Sequence, residues 1–166
     1  MNKNIVLIGM SGSGKTSIGK DISIILNKKF IDTDAYIEEI EGKSISEIFN
    51  KGEAYFRKVE SNAILKVSQN TNSVISTGGG VIKREENMIN LKKNSIVLFI
   101  NRPVERIIND IDESNRPLLK NKKTNLYEMY NLRYPLYKKY SDIIVANNIT
   151  YEEVINNIIN ILELRK

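Results

Sequence analysis

Between Gly9 and Thr16 the chain reads GMSGSGKT, a G-x-x-x-x-G-K-[ST] pattern that follows an apolar run and precedes a helical one. Glycines at this spacing let consecutive backbone N–H groups turn toward one anion, and a helix that begins at the lysine adds partial positive charge. In this pattern Gly12, Ser13, Gly14, Lys15, Thr16 and Ser17 surround the phosphates of a nucleotide. Lys15 reaches the outer two, and the Thr16 hydroxyl faces Mg2+. Further along, KFIDTD sets Asp32 and Asp34 two apart where a short strand ends. Like charges so close repel, so each needs a cation or a proton to deal with. Asp32 suits Mg2+, which keeps most of its waters and takes one or two carboxylates. Asp34 suits an acceptor hydroxyl, whose hydrogen bond and finally whose proton it would take. The competing reading of Asp34 is a plain helix cap before Ala35.

Four further stretches carry groups of the right type. STGGGVI, Ser76 to Ile82, allows the backbone at Gly79 to approach a ligand closely, or is simply a flexible turn. KGEAYFRKVE sets Arg57 beside the core-like Phe56, where a guanidinium could enter an aromatic-floored pocket. Its bland alternative is a surface pair with Glu53. NRPLL carries Arg116 and NLRYPLYKKYSD carries Arg133, which are otherwise solvated charges.

Composition narrows the chemistry. With no histidine and no cysteine, proton transfer falls to carboxylates, lysines or tyrosines, and thiolates and disulfides are excluded. The formal net charge of +5 and pI near 9.3 suit nucleic acid or small anions equally. A length of 166 residues, 41% hydrophobic, predicts one domain spanning 1–166. No apolar run approaches the ~20 residues of a membrane span and the start lacks a secretion signal, which predicts a cytoplasmic protein with no membrane partner.

The elements that must position these groups are strands and helices in alternation. Strand-like runs fall at Asn4–Ile8, Phe30–Ile31, Ser73–Ser76, Ser95–Ile100 and Asp142–Val145, which predicts an α/β fold with a parallel sheet covered on both faces. Ser44 with Glu47, and Thr150 with Glu153, read as capping boxes. The first opens a helical stretch through Ile45, Ile48, Phe49, Phe56, Val59, Ala63, Ile64 and Val67 that Gly52 interrupts, and the second opens a core-only stripe of Val154, Ile155, Ile158, Ile161 and Leu162. The polar segment 110–125 lacks a period and contains Pro117, which predicts a long loop serving as a lid.

In order and spacing, GMSGSGKT, DTD, GEAYFRKVE, TGGG, RPLL and RYPLY resemble the shikimate kinase family, from about Ile5 to Ile144. The resemblance implies a three-layer P-loop kinase of the nucleoside-monophosphate-kinase type, with a five-stranded parallel sheet of order 2-3-1-4-5 and a lid. It implies transfer of the γ-phosphoryl of ATP to the 3-hydroxyl of shikimate, a step toward chorismate and the aromatic amino acids, with Mg2+ on Thr16 and Asp32. Asp34, Arg57, Gly79 and Arg133 would hold shikimate, with Arg57 and Arg133 on its carboxylate, and Arg116 would be the lid arginine on ATP. Lys15, Asp34 and Arg116 would carry the catalysis. Where many relatives carry arginines beside the adenine, this chain has Asn109 and Asn147-Asn148-Ile149, so the resemblance assigns no grip on the base. Two alternatives share parts of the pattern: another small-molecule kinase of this scaffold, such as a gluconate kinase, and a non-enzymatic basic module binding RNA or a partner through lysines 120, 122, 123, 138 and 139. No aromatic platform joins those lysines, so no nucleic-acid partner is expected, and the charged helix faces predict a monomer.

Overall fold

Strand β1 (Asn4–Ile8) is buried at every residue, as a strand covered on both faces of a parallel sheet must be. In the computed structural model, which describes residues 3–114 and 119–164 (backbone only for 111–114 and 119–124), it lies at the centre of five parallel strands. The others are β2 (Lys29–Asp32), β3 (Ser73–Ser76), β4 (Ser95–Asn101) and β5 (Ile143–Ala146), and the order is β2-β3-β1-β4-β5, as expected. Helices α1 (Lys15–Ile25), α2 (Thr33–Glu41), α3 (Ile45–Phe49), α4 (Glu53–Val67), α5 (Glu85–Lys92), α6 (Val104–Ser114), α7 (Leu119–Tyr140) and α8 (Tyr151–Glu163) connect and cover them.

The two-residue period of β1 divides the core. Val6 and Ile8 face a cluster with Ile75, Val97 and Phe99 that Ile64 of α4, Met88 of α5 and Tyr137 of α7 close. Leu7 faces the other way, with Val74 and Leu98, against Ile18 and Ile22 of α1 and Val154 and Ile158 of α8. A satellite core of Ile37, Ile48, Phe56, Val59 and Ala63 supports α2 to α4. Both capping boxes form. Gly52, at φ +104, separates α3 from α4 in a conformation that L side chains rarely adopt.

Register brings the loops of interest to one edge. Asp32 pairs with Ser76, and Ser76 with Leu7, so the chain leaves β2, β3 and β1 side by side at their carboxyl ends. Ligands of open α/β sheets bind at that edge.

The sequence reading of 110–125 as a loop is corrected. Residues 110–114 belong to α6 and 119–125 to α7, while 115–118, with Arg116 and Pro117, lie outside the described residues. Leu, Lys and Glu have good intrinsic helix propensity, and a stretch without an apolar stripe shows no period even when helical. Strand β5 starts one residue later than expected. Asp142 instead accepts the Val97 N–H on its carboxylate at 2.8 Å and pairs with Lys92 at 3.1 Å.

Candidate active site

The turn between β1 and α1 curls around its own lysine. Lys15 is 7% exposed, and its ammonium donates to the carbonyls of Gly9 (2.9 Å) and Met10 (2.7 Å) and to Ser13 Oγ (3.4 Å). Burial lowers its pKa from the ordinary lysine value to about 8, against the pull of Asp34 and Asp32. Gly9 admits no side chain, because a Cβ there would lie 2.6 Å from the Ile100 carbonyl. Gly12 and Gly14 take left-handed φ values of +78 and +91. Ser11, Gly12, Gly14, Lys15, Thr16, Ser17 and Asp32 line a cavity of about 300 Å3, whose far wall is Asp34, Thr77, Gly78 and Gly79.

The two aspartates have separate duties. Asp32 is itself the cap of α2: its Oδ1 accepts from the N–H groups of Asp34 (3.0 Å) and Ala35 (3.3 Å). Its Oδ2 accepts from the Thr16 hydroxyl at 2.7 Å, so capping fixes the carboxylate next to the end of the phosphate turn. Asp34 is therefore released from capping, contrary to the bland reading. It is half-buried on the first turn of α2, and burial, then Asp32, raise its pKa, with Lys15 opposing. A hydroxyl and a carboxylate oxygen in contact at the cavity floor fit Mg2+, which needs few protein ligands. Among the described residues no group of three or more Asp or Glu gathers to hold a metal by itself.

Arg57 enters the site from α4, and it is 9% exposed. Its guanidinium lies over the Phe56 ring, 5.0 Å from the centroid, with Phe49 at 5.9 Å. It bonds Glu53 at 3.3 Å, the surface partner anticipated, but also the buried Glu60 at 2.7 Å. The sequence reading did not single out Glu60. A signal existed, since a glutamate three residues after Arg57 on the apolar face of Val59 and Ala63 cannot stay buried without a cation. Burial raises the Glu60 pKa and Arg57 opposes it. The three glycines fit around these groups. A Cβ on Gly78 would meet Asp34 Oδ1 at 2.9 Å, one on Gly79 the Ser11 N–H nitrogen and Oγ at 3.0 Å, and one on Gly80 the Arg57 guanidinium at 2.2 to 2.5 Å.

Arg133 is half-buried on α7 rather than fully solvated. Its charge is felt at Lys15, at Glu60 and at the Tyr137 hydroxyl. The Tyr137 hydroxyl, buried and pushed up to about 12, donates to the Gly79 carbonyl at 2.6 Å and so fixes the far wall. No sequence signal distinguished this tyrosine from a core residue. Lys15, Thr16, Asp32, Asp34, Arg57, Gly79 and Arg133 thus share one region at the carboxyl edge, and Arg116 lies outside the described residues.

A sequence model described as "SKI: Shikimate kinase" matches residues 11–163. A shikimate kinase of Clostridium botulinum (strain Alaska E43 / Type E3) is 51% identical over 162 residues, which is 98% of each chain. One from Caldanaerobacter subterraneus subsp. tengcongensis is 40% identical and covers 95% of this chain and 94% of its own. Among solved structures, shikimate kinase from Acinetobacter baumannii in complex with shikimate aligns with a TM-score of 0.91 at 30% identity, over 100% of this chain and 96% of that one. The enzyme from Aquifex aeolicus aligns at 0.82 and 37%, over 98% and 97%. A sugar kinase from Janibacter sp. HTCC2649, 16% identical with a TM-score of 0.65 over 98% and 95% of the two chains, shares the fold alone. Matched over nearly its whole described length by sequence and by structure, the chain belongs to the shikimate kinase family of ATP-dependent kinases.

Proposed function

We propose that this protein transfers the γ-phosphoryl group of ATP to the 3-hydroxyl of shikimate, giving shikimate 3-phosphate and ADP. The observation that carries the reading is the cavity between Lys15 and Asp34, with Arg57 held beside its far wall by Glu60. The phosphates lie in the turn from Gly12 to Ser17, and Lys15 exchanges the carbonyls of Gly9 and Met10 for phosphate oxygens. Asp34 accepts the hydrogen bond of the attacking hydroxyl and takes its proton late, since a loose transition state needs positioning and cations more than base strength. Arg57 and Arg133 hold the acceptor's carboxylate, and the backbone at Gly79 approaches its ring. Mg2+, when bound at Thr16 and Asp32, would neutralise charge on the phosphates. Arg116 acts as the lid arginine on ATP, by resemblance.

The same reading takes the chain as one domain over 1–166 with a lid around 110–125, a cytoplasmic monomer acting on small molecules and not on nucleic acid or membranes. No helix among the described residues is long and apolar enough to cross a membrane.

The test is a coupled ADP-release assay with shikimate, quinate, gluconate and nucleoside monophosphates as acceptors. Turnover with shikimate at a kcat/KM at least about a hundredfold above the others is expected, the range a charged-pair site can discriminate. Preference for gluconate would replace this reading with that of a sugar-acid kinase.

A further inference from the structure

The phosphate turn is held from outside by two side chains to which the proposed chemistry gives no role. Arg102, directly after β4, donates from Nη1 to the Gly12 carbonyl at 2.9 Å. Asn147, directly after β5, donates from Nδ2 to the Ser13 carbonyl at 2.9 Å. The two anchors are tied to each other and to the scaffold. The Asn147 N–H donates to the Asn101 carbonyl at 2.9 Å, the Tyr130 hydroxyl to Asn101 Oδ1 at 2.9 Å, and Arg102 also reaches Asp110 at 2.6 Å.

We propose that Asn147 and Arg102 are positioning residues for the nucleotide's phosphates, acting through the peptide planes of the turn. The inference rests on the reading of the turn as the ATP site. In a trans peptide the C=O and N–H point in opposite directions, and the described chain contains no cis bond. Holding the Ser13 carbonyl outward against Asn147 therefore turns the Gly14 N–H inward, toward the cavity that Gly14 lines. Holding the Gly12 carbonyl against Arg102 turns the Ser13 N–H onto the Met10 carbonyl at 3.1 Å, closing the turn on the same oxygen that takes Lys15 at 2.7 Å.

External tethers matter here because Lys15, which holds the Gly9 and Met10 carbonyls in the free protein, leaves them for phosphate oxygens in the proposed chemistry. Two of its glycines sit in left-handed conformations, where freedom lost on ordering is greatest, and α1 begins at Gly14 with no side-chain cap. The Asn147 amide packs directly on this point: a Cβ on Gly14 would lie 3.3 Å from its Nδ2. Arg102 shares its charge with the exposed Asp110, so its long-range pull on phosphate is screened and its contact with the carbonyl is what remains. For Asn147 the amide hydrogens are essential. An aspartate has the same shape but sets a carboxylate against a carbonyl with no proton between them.

The test uses the full chain and three readouts: calorimetric titration with MgADP and no acceptor, KM for ATP and for shikimate, and melting temperature. Asn147→Asp is expected to weaken MgADP by about tenfold, the worth of one hydrogen bond with its partner left facing a like charge. Shikimate KM stays within about twofold. Arg102→Ala behaves similarly, and Arg102→Lys, which keeps one donor, restores most of the affinity. If Asn147→Asp fails to fold, the two Arg102 variants decide by the difference between them. Unchanged MgADP affinity in Asn147→Asp and Arg102→Ala would overturn the inference. So would losses shared equally by shikimate KM and melting temperature, the mark of a merely structural role, or an Arg102→Lys variant no better than Arg102→Ala. Because the titration omits the acceptor, its outcome stands apart from the identity of the acceptor. A wild-type chain that binds no MgADP would overturn the nucleotide reading and this inference together.

Discussion

Replacing Gly80 by alanine tests the carboxylate clamp without removing any of its charges. Gly80 has φ −96 and ψ 5, the bridge conformation that L residues take in type I turns, so alanine does not require the backbone to move. The new methyl would lie 2.2 Å from Arg57 Nη2 and 2.5 Å from Cζ and Nη1, and opening the shortest of these to an ordinary 3.4 Å contact moves the guanidinium by at least about 1.2 Å. Displacement breaks its geometry toward Glu60, now at 2.7 Å, and toward any carboxylate held in the same plane. Loss of one charge-assisted hydrogen bond to the acceptor, ~1.5–3 kcal/mol, raises shikimate KM by about 10- to 150-fold. ATP KM, set on the opposite wall, is expected to stay within about twofold. The assay compares shikimate with its methyl ester: the wild type prefers the acid strongly, and the variant loses most of that preference. A Gly80→Ala enzyme that keeps the wild-type KM for shikimate and the wild-type preference for acid over ester would refute the assignment of Arg57 to the carboxylate.

Three other expectations can be tested, two from the same geometry and the third, at Arg116, from the family resemblance. Asp34→Asn is expected to lower kcat by about 10²-fold or more, the span of a lost general base, while raising the melting temperature near neutral pH. Burial raises the Asp34 pKa, so the folded state binds that proton more tightly than the unfolded state. Its contribution to stability is therefore greatest in acid and is lost as pH rises from the ordinary aspartate value through the folded one. Melting scans from acid to neutral pH should flatten in the variant, and a lower melting temperature with an unchanged pH slope would contradict the assignment of that burial cost. At Lys15, burial leaves the free protein partly neutral near pH 8, and phosphate binding restores the charge, so MgADP binding near pH 8 should take up protons and near pH 6.5 should take up fewer at this group. Calorimetry in buffers of different ionisation enthalpy measures this, and proton release near pH 8 would count against it. Arg116→Ala is expected to reduce kcat by ~10³-fold or more, as arginine fingers do, with MgADP affinity within a few-fold. Near-normal turnover would remove Arg116 from the mechanism.

The elements that positioned these residues were legible to the extent that a repeating physical constraint wrote them into the sequence. Alternating apolar runs located all five strands to within about a residue at each end, and the two capping boxes located α3 and α8, because each end of a helix must satisfy its own backbone groups. The segment 110–125 departs from the loop expectation because it begins after the buried stripe of α6 (Val104, Ile107, Ile108) and ends before the core-packed one of α7 (Tyr130, Tyr134, Tyr137), so taken by itself it shows no period. The site divides in the same way. The turn, Asp32, Asp34 and Arg57 could be named because each sits in a local pattern with a known chemical purpose. Glu60, Tyr137, Arg102 and Asn147 could not, because their partners lie elsewhere in the chain or one helical turn away on a face that reads as core. Asn147 meets Ser13 across 134 residues and Tyr137 meets Gly79 across 58. Such contacts become visible only when the sheet order β2-β3-β1-β4-β5 brings the ends of β4 and β5 up to the turn after β1. The groups that touch ligand are therefore legible in short motifs, whereas those that hold the motifs in shape are dispersed, and a change at Asn147 or Gly80 can impair phosphate or acid binding with every motif residue intact.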